Sequence, residues 1–198
     1  MDHVTVATLK LFGGHAALDF TNTVDSRGPR WGPDVLQCHD DLLDWSVRIG
    51  LVSTAEAQAG RSRPAAESEA ALVRAKALRE AIYRIFATRP ADQADLGLLQ
   101  REVLWAQAAR EIVAEPEGYR WRWQQNDPDT VIRRLALSAA ELLMSHRLSR
   151  VRSCAGENCG WLFLDTSRSG HRVWCSEETC GTRNRVRRWR ARRDEPAG

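Results

Sequence analysis

The sequence predicts a mainly α (α+β) chain. A helical N-terminal domain with one small β-hairpin is expected over residues 1–148, and a small cysteine-bearing module over residues 149–198. Three observations carry this. Apolar residues recur at helical spacing through the middle of the chain, one short segment alternates with period two, and four of the five cysteines fall between Cys154 and Cys180. With 198 residues, 43% hydrophobic and 28% charged, the balance is that of an ordinary globular protein able to bury roughly 70% of its unfolded surface. No run approaches the roughly 18 apolar residues of a membrane span, and the opening residues lack the charged-then-apolar layout of an export signal. A cytoplasmic protein with no membrane association is expected.

In segment 11–27, Gly13-Gly14 marks a turn, and Ala17, Leu18 and Phe20 supply a core contact. Leu42, Leu43, Trp45, Val47 and Ile49 suggest a short helix that Gly50 stops. Ser53 with Glu56 fits a capping box opening another. Ala71, Ala75, Leu78, Ile82 and Ile85 form one apolar stripe, and Arg89-Pro90 ends that helix because a residue before proline is pushed out of helical geometry. Leu96, Leu99, Val103 and Ala106 form the next stripe, with Asp92 as its N-cap. Asp127-Pro128 starts a further helix, with Ile132, Leu135, Ala139 and Leu142 as its stripe. Between them, residues 119–123 read Tyr-Arg-Trp-Arg-Trp after a turn at 116–118, so a hairpin pairing 111–115 with 119–123 is expected. Its aromatic residues should face inward and its arginines water, with a base-stacking platform as the alternative.

The last four cysteines run C-x4-C-x15-C-x4-C. Disulfides are the competing explanation, but they rarely persist in a reducing compartment. Two close pairs separated by a hairpin-sized spacer suit one tetrahedral zinc ion. Cys154 and Cys159 frame a knuckle, residues 161–165 and 171–175 read as two strands around a turn at 167–170, and the chain then becomes helical to about Arg193. Knuckle, hairpin, then helix with the second ligand pair at its start is the layout of a treble-clef zinc finger. One structural Zn²⁺ held by Cys154, Cys159, Cys175 and Cys180 is the expected cofactor, and a module this small needs it to fold. The lone Cys38 reads as an inert, part-buried thiol.

A net charge of +3 hides an asymmetry: residues 1–146 carry −3 and residues 147–198 carry +6. Residues 181–193 hold seven arginines and no acid, which points to a polyanionic partner, DNA first. Arg183, Arg187 and Arg190 share one helix face that can enter a groove, while Val186 and Trp189 on another face would pack on the hairpin. Arg185, Arg188, Arg192 and Arg193 can reach flanking phosphates, with Arg168, His171 and Arg172 as auxiliary contacts. The plainer alternative is a solvated basic helix that only tempers the zinc–thiolate charge, but seven arginines exceed that need. One small module gives little specificity alone, so a homodimer formed through the helical domain would supply paired half-sites.

His15, Asp19, Asn22 and Asp25 are close enough in sequence to converge on a small-molecule effector, although caps and turns are the commoner use of such residues. The sequence has no Gly-rich phosphate loop, no HExxH and no serine elbow, so the chain reads as a non-enzyme. Besides a DNA-binding regulator, the alternatives are a zinc-stabilised module binding RNA or protein, and an enzyme with a structural zinc.

The run C-x4-C-x2-L-F-x-D-x-S, followed by R-x-W-C-S-x3-C-G-x-R and a basic tail, resembles the CGNR zinc finger. The run GGHAALDFTNTVDSR resembles the start of the ABATE domain that precedes that finger in bacterial proteins. Together the resemblances span about residues 9–193. They imply a stress-related transcription regulator with a helical domain before a DNA-contacting finger, and they carry the ligand role to the four cysteines. The name-giving tetrapeptide falls on Cys180-Gly181-Thr182-Arg183, with threonine where the family has asparagine. A threonine hydroxyl can brace the zinc loop but cannot make the two-sided amide contact with an adenine edge. A zinc-dependent DNA-binding transcription regulator is therefore expected, its N-terminal domain sensing a ligand or dimerising.

Overall fold

The computed structural model describes residues 4–29, 32–124 and 127–194; residues 1–3 and 195–198, the outer ends of the two regions expected above, lie outside these. Seven α-helices and two small antiparallel sheets are present among the described residues, a mainly α (α+β) fold. Among them no helix is long and apolar enough to cross a membrane.

Local chemistry sets most helix ends. In α1 (Ala16–Thr21) the His15 ring nitrogen accepts from the Ala17 N–H at 3.4 Å. In α2 (His39–Arg48) the Asp41 carboxylate accepts the N–H of Cys38 at 3.0 Å, and Gly50 at φ +70 turns the chain away. That cap leaves Cys38 exposed rather than part-buried. The capping box of α3 (Thr54–Arg61) forms as expected, Ser53 and Glu56 bonding each other's backbone N–H. α4 (Ala65–Ala87) stops short of Arg89-Pro90. Asp92 caps α5 (Gln93–Ala108) by accepting from the Ala94 N–H at 2.7 Å. α6 (Thr130–Met144) begins three residues after Asp127, whose carboxylate accepts the Asp129 N–H at 3.0 Å.

The stripes of α4 and α6 are buried, and they face α1 and Trp45 of α2 in one hydrophobic core. That core continues into the cysteine region through Val151, Trp161, Leu162, Phe163 and Leu164. At its edge Arg79, only 3% exposed, makes two 2.8 Å bonds to Asp34 and one of 2.9 Å to Glu80, while Arg27 also grips Glu80. Guanidinium forks matched to carboxylates can be buried because each charge is paired.

β1 (Arg110–Glu115) and β2 (Gly118–Trp123) pair in register Ile112 with Trp121 and Ala114 with Tyr119. Of the three aromatic residues only Trp123 turns toward the body, half-buried with the Arg134 guanidinium of α6 5.4 Å from its ring. Tyr119 is 81% exposed and Trp121 50% exposed, and the Arg110 guanidinium lies 4.6 Å above the Trp121 ring. The opposite face carries the pairs Glu111–Arg122 and Glu115–Arg120. Beyond Trp123 the hairpin stands off the body, so alternation there produces two faces without burying either.

In the last third, β3 (Val151–Ser153) pairs with β4 (Leu162–Leu164), which corrects the expected pairing of 161–165 with 171–175. Residues 171–175 form no strand: the Val173 carbonyl takes the Ala155 N–H at 3.2 Å, and the other described backbone bonds of the segment go to side chains. Asp165 accepts the Arg172 N–H at 3.0 Å, and the Arg172 guanidinium bonds the carbonyls of Trp174, at 2.8 Å, and Cys175. One wide helical turn over Glu177–Gly181 then leads into α7 (Thr182–Asp194).

Candidate metal centre and nucleic-acid interface

The β3–β4 hairpin presents Cys154 and Cys159 at its tip, where the Cys154 N–H bonds the Trp161 carbonyl and the Cys159 N–H bonds that of Gly156. A Cβ on Gly156 would stand 3.3 Å from the Cys180 sulfur and 3.5 Å from that of Cys154, so a side chain there would crowd the sulfurs. Ser176 caps the wide turn that delivers Cys180, accepting the Thr179 N–H at 3.3 Å.

All four sulfurs lie within 4.8 Å of one another, and Cys175 stands 3.6 Å from both Cys159 and Cys180. Ligands about 2.3 Å from a tetrahedral zinc stand about 3.8 Å apart, so the cluster has the size of a Zn(Cys)₄ shell and no pair is close enough for a disulfide. The four cysteines thus fit one structural Zn²⁺, which would bind the hairpin to the helical turn and leave no open position for catalysis. The Cys175 N–H donates to the Cys154 sulfur at 3.2 Å. Hydrogen bonds from Cys159 and Cys175 hold the Cys154 thiol down to about 2, while the same bonds push Cys159 and Cys175 above their ordinary range. A metal binding here takes thiolate sulfur, so it must displace whatever protons the thiols carry.

The finger is fastened to the helical part at the knuckle. The Arg27 N–H bonds the Cys159 carbonyl at 2.7 Å, Tyr83 donates to the Gly160 carbonyl at 3.0 Å, and Trp161 donates to the Val24 carbonyl at 2.8 Å. Ser26 bonds the Asn158 carbonyl. Gly160, at φ +63, lets Arg27 approach to where a Cβ would sit 3.1 Å from its backbone. Asn22 bridges α1 and β4: its amide donates to the Leu162 carbonyl at 2.8 Å and accepts the Leu162 N–H at 3.0 Å.

The four N-terminal candidates are therefore dispersed. His15 caps α1, and Asn22 serves as a strand-like partner for Leu162. Asp19 accepts the Gly13 N–H at 2.8 Å, and burial pushes its carboxyl up to about 6. Asp25 alone lines the cleft of about 930 Å³ that opens between the N-terminal segment and the finger, with Lys10, Phe12, Trp161, Cys159 and Arg183.

Arg168, Arg183, Arg185, Arg187, Arg188, Arg190, Arg192 and Arg193 are all exposed. Val186 at 42% and Trp189 at 50% exposure do not pack on a hairpin as expected. Instead α7 projects, packing mainly on the turn before it, with Arg193 over the Trp189 ring at 4.7 Å. Arg187 pairs with Glu157 of the knuckle, and Arg185 with Glu177 at 3.1 Å. Arg172 is half-buried over Phe163 at 4.4 Å and committed to two carbonyls. Thr182 donates to the Glu177 carbonyl at 3.1 Å and accepts from Arg185, so its hydroxyl braces the metal loop. Arg27 closes the N-terminal run GGHAALDFTNTVDSR, but neither it nor Tyr83 is singled out as a functional residue by the sequence.

Residues 150–193 match the CGNR zinc finger family, and residues 14–146 match the ABATE family, described as "Putative stress-induced transcription regulator". No curated protein matches the chain. The metal centre and the helical part that clasps it coincide with these two matches, and the chain belongs to the ABATE family, with a CGNR zinc finger at its C-terminal side.

Proposed function

We propose that the chain is a zinc-dependent, DNA-binding transcription regulator with no catalytic role, in which α7 meets the duplex. The observation that carries this is α7 itself: 13 residues, exposed and arginine-rich, projecting from the body. A strongly charged helix that buries little gains almost nothing from the fold, so a partner is its natural stabiliser. Guanidinium forks suit phosphates and guanine edges. Arg183, Arg188, Arg190 and Arg192 have no ion pair or hydrogen bond among the described residues and are the first contacts, with Arg168 beside them. Arg185 and Arg187 would exchange acidic partners for phosphate, and Arg172 holds the metal loop. Zinc enters because α7 hangs from the turn bearing Cys180. The cleft beside Asp25 is where we place an effector, and the helical domain is where a second copy would attach.

The test is duplex binding by the zinc-loaded chain to pooled genomic fragments at two salt concentrations. About five neutralised phosphates give a log–log salt slope near −4.5. Recovery of a few fragments with that slope supports a regulator, whereas equal weak binding to all fragments, or none, refutes it. Arg183→Ala with Arg190→Ala should abolish binding with zinc content intact; zinc loss in that variant would make these arginines structural. Sedimentation showing a monomer both free and on DNA would remove the dimer.

A further inference from the structure

A second basic site lies where the helical part joins the finger, away from α7. A pocket of about 380 Å³ is lined by His146, Arg147, Ser149, Arg150, Thr166 and Ser167, with Leu164 and Asp165 at its base. One wall is a 3₁₀ turn, His146–Arg150, capped by the Ser145 hydroxyl, which accepts the Arg147 N–H at 3.2 Å. The other wall is the turn after β4. Arg150 donates to the Ser167 carbonyl at 3.2 Å and lies over Gly170, where a Cβ would come within 2.5 Å of its guanidinium. Gly170, at φ +70, thus gives the guanidinium room to reach across the turn.

The one acid of the lining is already engaged. Asp165 is 2% exposed, and its carboxylate accepts from the Ser167 N–H at 2.9 Å, the Ser167 hydroxyl at 2.6 Å and the Arg172 N–H at 3.0 Å. The Arg147 guanidinium and the Thr166 hydroxyl have no ion pair or hydrogen bond among the described residues. Two guanidinium groups against one engaged carboxylate leave the lining positive, and exposed Arg168 on the same turn adds to it. A polar concavity with forked donors and a spare hydroxyl is built for a tetrahedral oxyanion.

We infer that this pocket binds a phosphate group, and that in the working protein the group is a backbone phosphate of the duplex, flanking the stretch met by α7. The pocket's chemistry stands by itself; only the source of the phosphate rests on the regulator reading. Each phosphate contact contributes about −0.9 to the salt slope, which at 0.1 M salt corresponds to roughly eightfold in affinity.

The experiment compares the zinc-loaded full chain with its Arg147→Ala/Arg150→Ala variant, both positions being exposed and zinc content serving as the control for folding. For duplex DNA the variant should lose about 0.9 from the salt slope and roughly eightfold in affinity at 0.1 M salt, equally for all sequences. Arg147→Lys/Arg150→Lys should keep most of the slope. An unchanged slope in the alanine variant overturns the assignment to DNA. In parallel, inorganic phosphate is titrated at constant ionic strength while the arginine Nε–Hε signals are followed by NMR. A phosphate-specific shift that vanishes in the alanine variant supports the pocket even if the chain binds no duplex, in which case the regulator reading fails alone. A response identical to that with chloride overturns the pocket.

Discussion

Asn22→Ala tests the seam between the helical part and the finger most directly. The Asn22 side chain is fully buried and serves both backbone groups of Leu162, itself fully buried. Alanine leaves that N–H and carbonyl without partners in a space too apolar to hydrate them. An unsatisfied buried group costs about 1–3 kcal/mol, so the pair should cost about 2–5 kcal/mol. For a chain of this size about 3 kcal/mol lowers the melting temperature by about 6–12 °C. Thermal unfolding of the zinc-loaded chain, followed at once by circular dichroism and by a chromophoric zinc chelator, reads both sides of the seam. The helical signal and zinc release should shift together, because Arg27, Tyr83 and Trp161 tie the same knuckle to the same helices. A helical transition that moves while zinc release stays put would refute this coupling, as would a loss below about 0.5 kcal/mol.

Arg172→Ala should speed zinc loss to a chelator several-fold and leave the DNA salt slope unchanged, since its guanidinium braces the carbonyls of Trp174 and Cys175; a lowered slope with normal zinc retention would return it to the DNA contacts. Zinc uptake should release protons, and zinc affinity should weaken as pH falls, because the Cys159 and Cys175 thiols are held above their ordinary range; calorimetry in buffers of different ionisation enthalpy measures the count, and a value of zero would refute it. Asp19 is raised from 3.8 to about 6 by burial, so the folded state holds its proton more tightly than the unfolded chain. Its contribution to stability is present below pH 4, falls as pH rises through 6 and stays lost above it, by about 3 kcal/mol at most. Asp19→Asn keeps the acceptor for the Gly13 N–H and should be more stable than the parent above pH 6, with the difference vanishing near pH 4; a variant equally destabilised at both pH values would show that the burial cost was misjudged.

Local rules made most elements legible. The stripes of α4 and α6 are periodic over several turns, Ser53 and Glu56 recognise each other within three residues, and two cysteine pairs announce a metal by spacing alone. Where the sequence misled, the deciding contacts were distant or side-chain mediated. Residues 161–165 and 171–175 look equally like strands, but the second segment's backbone bonds go to the Asp165 and Arg172 side chains, the Cys154 sulfur and the Ala155 N–H, and residues 151–153 partner β4. Period two in 119–123 defines two faces but not whether a body lies against either. Asn22 looked like a ligand group because it is polar and near other polar residues, whereas its partner Leu162 lies 140 positions away. Arg147 and Arg150 are illegible in sequence because single arginines near a helix end carry no pattern.

The seam also decides how an effector could act. In the cleft, Lys10, Phe12 and Asp25 come from the N-terminal segment, while Trp161, Cys159 and Arg183 come from the finger and the start of α7. A ligand touching both walls binds one relative arrangement better than another, and it can shift α7 only by that difference in affinity. Zinc would act on the same equilibrium from the other wall, since Cys159 lines the cleft and its carbonyl is held by the Arg27 N–H. In the proposed regulator, zinc occupancy and effector affinity are then reciprocally coupled. The helical part and the finger of the proposed regulator need no hinge or long pathway between them, because the contact that fastens them lines the cleft.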